Sequence, residues 1–238
     1  MTDRPVGPPV PGWQAPPRPG PARIEGRHAL LERLSETHAA ELFDAFKGHD
    51  QVWDYMPVGP FASFADFRAW LTGAAAGDDP LFYAIRDRAG GPATGVASFL
   101  RIDPRAGSIE VGFIAMSPAL QRTRIATDAI HLMMHWAFDA GYRRFEWKCD
   151  ALNAPSRRAA RRFGFVFEGV FRQATIVKGR NRDTAWFSVI DRDWPALRAA
   201  YDTWLDPANF DANGLQRHRL SDLTAPLVAA GEAALRKL

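Results

Sequence analysis

The sequence predicts an α/β (α+β) fold, a mixed sheet flanked by helices, and three observations predict it. Residues 81–116 carry three apolar, strand-like runs joined by glycine-bearing turns, the pattern of an antiparallel meander. Residues 108–140 pass from the last of these runs through a tight Ser117-Pro118 turn into an amphipathic helix. A further strand and a short helix follow, and two long strand-like runs end the unit as a hairpin.

The elements follow in order. Residues 1–21 hold Pro5, Pro8, Pro9, Pro11, Pro16, Pro17, Pro19 and Pro21, which remove backbone donors and favour extended conformations. They are expected to form an arm without regular structure. Trp13 is its one sticky residue, free to tuck against the body. The domain is expected over 22–205, with 206–238 as a C-terminal extension.

A strand over 28–34 and a helix over 36–47 lead to an aromatic loop, Trp53-Asp54-Tyr55-Met56-Pro57. Ser63 is placed to cap a helix over 64–76. Strands over 81–86, 94–102 and 108–116 are separated by turn residues at 87–91 and 103–107. The next helix sets Ile125, Ala129, Leu132, Trp136 and Ala140 on one stripe, and Gly141 ends it. A strand over 143–149, a helix over 155–162 closed by Gly164, and a hairpin of 165–177 with 184–191 follow. A helix over 194–205 and a last one from residue 224 complete the chain.

With 238 residues, 47% hydrophobic and 24% charged, the chain is long enough for one large domain with a filled core. A formal charge of +3 is only mildly basic; it suits a small polyanionic ligand, and no nucleic acid partner is expected. The lone cysteine, Cys149, excludes an internal disulfide and fits a reducing compartment. No apolar run reaches the length of a membrane span, and the N-terminus has no apolar signal core, so a cytoplasmic protein with no membrane partner is expected.

The turn before the long helix, Gln121-Arg122-Thr123-Arg124-Ile125-Ala126, carries the first functional signal. A helix start offers unpaired backbone N–H groups and the positive end of the helix dipole, an arrangement that binds phosphate. Two arginines lie in the same turn.

Three segments give the chain a family resemblance. They are Ile109-Glu110-Val111-Gly112-Phe113-Ile114 leading into 121–126, Asn153-Ala154-Pro155-Ser156 through Arg162-Phe163-Gly164-Phe165, and Glu168-Gly169-Val170-Phe171-Arg172 running into the 180–183 turn. In order and spacing they resemble the GNAT family of acyl-CoA-dependent N-acyltransferases, over roughly 23–205, and most closely its RimJ/RimL-like branch, which acetylates protein N-termini and some small amines. The resemblance implies a centrally splayed sheet, acetyl-CoA as cosubstrate without a metal, and an amine acceptor.

It also implies site residues. The family's pyrophosphate loop reads Gln/Arg-x-x-Gly-x-Gly/Ala, which makes Gln121, Arg122, Thr123, Arg124, Ile125, Ala126 and Thr127 cofactor-binding candidates. Arg124 occupies the first glycine position. An arginine there can swing aside and pair with a CoA phosphate, or it can mark a seat reshaped for another ligand. The backbone of Ile114, Ala115 and Met116 would meet the pantetheine arm and donate to the thioester carbonyl, and Asn153 would hydrogen-bond a pantetheine amide. Glu110 is the candidate base for the acceptor ammonium, against the alternative of a solvent-facing glutamate. Many members place a tyrosine as acid where this chain has Ala160; RimL-like members use a serine at the position of Ser156, the candidate acid here. Asn153 and Ser156 can equally serve as helix caps.

Trp53, Tyr55, Phe61, Arg172, Lys178 and Trp186 are candidate substrate-binding residues, and Asp54 and Asp183 are placed to attract an ammonium acceptor, against the alternative that Asp183 pairs with a neighbouring arginine. Two distractors remain. His131 and His135 have zincin-like spacing, but leucine replaces the glutamate, so helix-surface histidines are expected. Cys149 is expected to be a buried structural thiol. The chain thus predicts acetyl transfer from acetyl-CoA to a primary amine by direct attack. Its rivals are a non-catalytic CoA- or nucleotide-sensing module and an adaptor acting through the proline arm. The helical tail offers a homodimer surface.

Overall fold

The computed structural model describes residue 4 and residues 6–236; residues 1–3 and Pro5 of the arm lie outside the described residues, as do 237–238. One sheet organises the chain. Its strands are β1 (Arg23–Glu25), β2 (Ala29–Arg33), β3 (Leu81–Asp87), β4 (Gly95–Asp103), β5 (Ser108–Met116), β6 (Arg144–Asp150), β7 (Val166–Val177) and β8 (Arg180–Ile190). They lie in the order β1-β2-β3-β4-β5-β6-β8-β7, antiparallel except where β5 meets β6.

Helices cover both faces. α1 (Ala39–Phe46) and α2 (Phe64–Ala76) enclose one core, in which Leu42, Phe46, Phe67 and Leu71 meet Phe82, Val96 and Ala115. α3 (Arg124–Asp139), α4 (Ala154–Arg162), α5 (Trp194–Leu205) and α6 (Leu220–Leu235) contribute to the other, where Met133, Ala160, Tyr201 and Leu220 meet Ile109, Val111 and Phe145. Ser63 Oγ accepts from Asp66 N (3.1 Å) and caps α2, as its position predicts.

Several differences from the expected pattern have physical causes. The strand β1 was not anticipated; three residues with no alternation carry no periodic signal. The 36–47 region opens as a 3₁₀ turn at Glu36–His38 before α1 begins. The final hairpin turns tightly on Lys178 and Gly179, both at positive φ (+48° and +72°), so β8 starts at Arg180 rather than 184. The last helix starts at Leu220, four residues earlier than expected.

α3 is buried on more than its predicted stripe, because α5 covers its outer side. His131 is therefore not a surface histidine: its ring is buried and stacked on Tyr201, 4.6 Å between centroids. His135 instead pairs with Asp139 (3.1 Å). Asp128, also on α3, accepts from the backbone N–H of His28 (2.6 Å) and Ala29 (2.9 Å) and so anchors the start of β2. Burial alone would raise its carboxyl, but the His131 ring and those two N–H groups hold it below the usual range. His131 Nδ1 stands 3.9 Å away, an ion-pair separation rather than a hydrogen bond.

The proline-rich arm lies along the body. Tyr142 Oη donates to Pro17 O (3.0 Å), Tyr83 Oη to Pro21 O (2.9 Å), and Trp13 Nε1 to Arg105 O (3.2 Å). Proline carbonyls are full acceptors although the residue has no N–H, so a proline-rich strap can satisfy buried tyrosines. Among the described residues, no helix is long and apolar enough to cross a membrane, and no group of three or more His, Cys, Asp or Glu is placed to hold a metal ion.

Candidate active site

The site begins where the sheet opens. β5 and β6 pair in parallel only from Ser108↔Arg144 to Val111↔Trp147. Past that point residues 112–116 keep β4 on one side and have no strand on the other. A β-bulge sits at the opening. Val96 faces Ala115 and Ser98 faces Gly112, so Phe113 and Ile114 oppose the single residue Ala97, and Phe113 takes φ +47°. A bulge bends its strand and re-aims the side chains beyond it. The free edge of Ile114, Ala115 and Met116 is its product.

β5 then delivers the chain to the start of α3. Thr123 is the N-cap, and its Oγ1 accepts from Ala126 N (3.1 Å). The amides of Arg124 and Ile125, the first two helical residues, have no partner within the helix, the arrangement that suits an anion. Arg124 is helical, so its position needs no glycine; the positive φ (+62°) falls on Arg122 instead. The Arg124 guanidinium swings outward and lies 4.0 Å from the Phe210 ring centroid, clear of the amides. Gln121 Nε2 donates to Met116 O (2.9 Å) and holds the loop to the strand end. Thr127 points inward: its hydroxyl bonds Thr123 O (3.2 Å) and Arg162 Nη1 (3.1 Å) and is not available at the helix mouth.

On β5, Glu110 is 1% exposed, which removes the alternative of a solvent-facing glutamate. A second bulge explains its partner. Arg101 and Ile102 together oppose Ile109, with Arg101 at φ +46° and both amides held by the Asp79 carboxylate (2.7 and 3.1 Å). The bulge lays the Arg101 guanidinium across Glu110, Nη2 on Oε1 (2.6 Å) and Nε on Oε2 (2.7 Å). Lys148 Nζ adds a contact to Oε2 (3.0 Å) and one to Glu146 Oε2 (2.8 Å). Three of about four acceptor positions on the carboxylate are thus filled, and the open one is on Oε1.

Beyond β6, Trp147 Nε1 donates to Ser156 Oγ (3.0 Å). An indole can only donate, so Ser156 accepts there and its own proton is free to be given elsewhere. Asn153 Oδ1 accepts from Ser156 N (3.0 Å) and caps α4, which leaves its amide NH₂ for a ligand. Cys149 is buried; burial pushes its thiol up, with Ser156 acting in the opposite direction.

Aromatic and basic groups frame the far side. Lys148 Nζ lies 3.4 Å from the Trp186 ring centroid, and the Phe171 ring lies tilted against Trp186, 4.7 Å between centroids. Trp186 Nε1 is buried and has no acceptor among the described residues. Tyr55 Oη donates to Leu152 O (3.4 Å), joining the loop between α1 and α2 to the loop after β6. Lys178 Nζ donates to Trp53 O (2.8 Å), joining the hairpin tip to the same loop. The Trp53 ring itself is 2% exposed, packed edge-on against Phe46, Phe61 and Trp70, so it belongs to the core and not to a binding surface. Arg172 and Asp183, with Phe171, line a hollow of about 800 Å³ on the hairpin. There Asp183 accepts from Gln173 N, the main cause that holds its carboxyl below the usual range, and from Asn181 Nδ2.

A strand that parts from its parallel neighbour beside an anion-binding helix start is the geometry the resemblance implies, and the family model described as an acetyltransferase (GNAT) domain matches residues 28–166. The chain belongs to the GNAT family. The structure of a GCN5-related N-acetyltransferase from Brucella melitensis is 47% identical, covering 91% of this chain and 100% of that one, with a TM-score of 0.88. A probable GNAT-family acetyltransferase from Chromobacterium violaceum is 42% identical, covering 81% and 98%, with a TM-score of 0.77. The ribosomal-protein-serine acetyltransferase of Escherichia coli K12 is 33% identical over 97 residues; the match spans 40% of this chain and 54% of that protein, and supports the RimJ/RimL-like branch.

Sequence reasoning for this GNAT protein missed Arg101, Glu146 and Lys148. The last two were legible in principle: Arg144, Glu146 and Lys148 alternate charges on one face of a strand, more than an exposed edge requires. Arg101 carried no signal, because a bulge, not its sequence neighbours, aims it.

Proposed function

We propose that this GNAT protein transfers an acetyl group from acetyl-CoA to a primary amine, with an N-terminal amine of a protein as the acceptor class favoured. The observation that carries the reading is the unpaired β5 edge at 114–116 running into the free amides of Arg124 and Ile125. An extended amide-bearing arm fits the first by strand-like pairing, and a pyrophosphate fits the second. Buried Ser117 Oγ, without a partner among the described residues, lies at the junction.

Acetyl-CoA supplies an activated acyl group on a thiolate leaving group. The chain supplies the rest. The edge amides of 114–116 orient the thioester and receive the charge that develops on its oxygen. Glu110 takes the acceptor's proton through the open position on Oε1, directly or by way of a water, since an ammonium cannot attack. Ser156 donates its free proton towards the departing sulfur while Trp147 holds its oxygen in place. Phe171 and Trp186 form an apolar wall. The name of the E. coli relative, a ribosomal-protein-serine acetyltransferase, favours a protein N-terminus as that acceptor.

Titration calorimetry with acetyl-CoA tests the donor half. One saturable site is expected, weakened by substitutions at the start of α3. No binding heat and no rise in melting temperature would remove the reading.

A further inference from the structure

A cavity of about 760 Å³ opens beside the start of α3, and its walls carry Arg122, Arg124, Arg162 and Arg219 against one carboxylate, Asp87. None of the four arginines forms a salt bridge among the described residues, whereas Arg161, one residue from Arg162, pairs with Glu232. Arg162 is the most telling. It lies mostly buried between Phe163 (5.3 Å) and Trp204 (5.2 Å) and bonds Thr127 Oγ1, with no acid against it. Burial pushes its guanidinium down from the ordinary range, which a bound anion would reverse. Arg219 reaches the cavity from the segment before α6, and Phe210 of the same segment holds Arg124 to one side. Both lie beyond residues 28–166, the span that matches the family domain.

We propose that the C-terminal extension completes this cavity as a seat for a second phosphate, the 3′-phosphate of CoA, read by Arg162 and Arg219. This inference rests on acetyl-CoA being the donor. With the pyrophosphate on the α3 amides, a phosphate on the attached ribose needs cations beside the helix start, and Arg162 and Arg219 line the same cavity as Thr123, Arg124 and Ile125. Guanidinium groups suit a phosphate because they present paired donors to its oxygens. The extension thereby makes the protein selective for CoA over its dephosphorylated form.

The test measures affinity for acetyl-CoA and acetyl-dephospho-CoA, and for adenosine 3′,5′-bisphosphate, adenosine 5′-phosphate and inorganic phosphate, by calorimetry on the full chain. The wild type should prefer each 3′-phosphorylated ligand by about tenfold or more, the size expected of a charge-assisted contact. Arg219→Ala should reduce that preference to about twofold or less while leaving acetyl-dephospho-CoA affinity unchanged, and Arg219→Lys should restore most of it. Arg219 is exposed, so its variants are expected to fold; an unchanged melting temperature verifies this. A wild type that binds both donors equally, or a preference that survives Arg219→Ala and Arg162→Gln alike, overturns the inference. Failure of the donor reading looks different: neither acetyl-CoA nor its dephosphorylated form binds at all. Binding of inorganic phosphate alone, with no difference between the adenosine ligands, also overturns the inference, by showing an anion site unrelated to the nucleotide.

Discussion

Lys148 places its ammonium 3.0 Å from Glu110 Oε2, joining β6 to β5 at the level where the two strands part. The link explains how the sheet can open without loosening. The backbone ladder ends at Val111 and Trp147, and a side-chain ion pair continues the connection one residue further on β6. Arg101, Glu146, Arg144 and Glu168 complete the network, three cations to three carboxylates.

Glu110→Gln should lower turnover at least tenfold and leave the acetyl-CoA affinity within about twofold, since the donor seat uses backbone groups and not this carboxylate. Thiol release followed across pH reads the outcome; full turnover of the variant at every pH would assign proton removal elsewhere. Lys148→Met removes one partner of a buried pair, and a loss of about 2–3 kcal/mol is expected in denaturant unfolding because Arg101 still neutralises the carboxylate.

Ser156→Ala should slow turnover by about tenfold with acetyl-CoA binding preserved, because a CoA thiolate leaves without full protonation and the lost proton donor accounts for only part of the barrier. The same change strands the Trp147 indole N–H, so stability should fall by about 1 kcal/mol. Retained activity with that same stability loss would make Ser156 a structural acceptor alone.

Asp128 gives a pH prediction of definite sign. Its folded carboxyl is held below the ordinary range by the His131 ring and the N–H groups of His28 and Ala29. The stability it contributes is therefore fully present above the unfolded value, about pH 4, and is lost as pH falls through the lower folded value. Asp128→Ala should cost about 3 kcal/mol at neutral pH, leaving two buried donors unpaired, and flatten the acid limb of the unfolding curve. An unaltered acid limb would contradict the assignment.

Deleting residues 1–21 removes the acceptors of Tyr83 and Tyr142. The melting temperature should drop by several degrees, about 2–4 °C for each kcal/mol in a chain of this size. Acetyl transfer should persist, because the arm lies along the body away from the β5 edge. Lost partner binding with unchanged stability would favour an adaptor role instead.

The chain order of the strands from β2 onward, the span of β5 (Ser108–Met116) and that of α5 (Trp194–Leu205) were legible from periodicity and turn residues. The capped start of α3 directly after β5 was legible too, since it needs only a strand, a turn and a cap. What the sequence hid was aimed by long-range geometry. Arg124 stood out as a misplaced residue, yet Phe210, 86 positions later, decides where it points. Trp53 carried the look of a recognition aromatic, but the α1–α2 core encloses its ring. Arg101 meets Glu110 only because a bulge gives it a left-handed backbone, and local pattern contains no mark of that.

The most direct test of acetyl transfer is a mass-resolved assay of the purified chain with acetyl-CoA and a panel of amines, from peptides with free N-terminal serine to polyamines. One class of amine should gain a single acetyl group as one equivalent of CoA thiol appears, with N-terminal peptides modified most rapidly. Binding of acetyl-CoA without thiol release for any amine would contradict it, and would make the protein a CoA-sensing module built on an acetyltransferase fold.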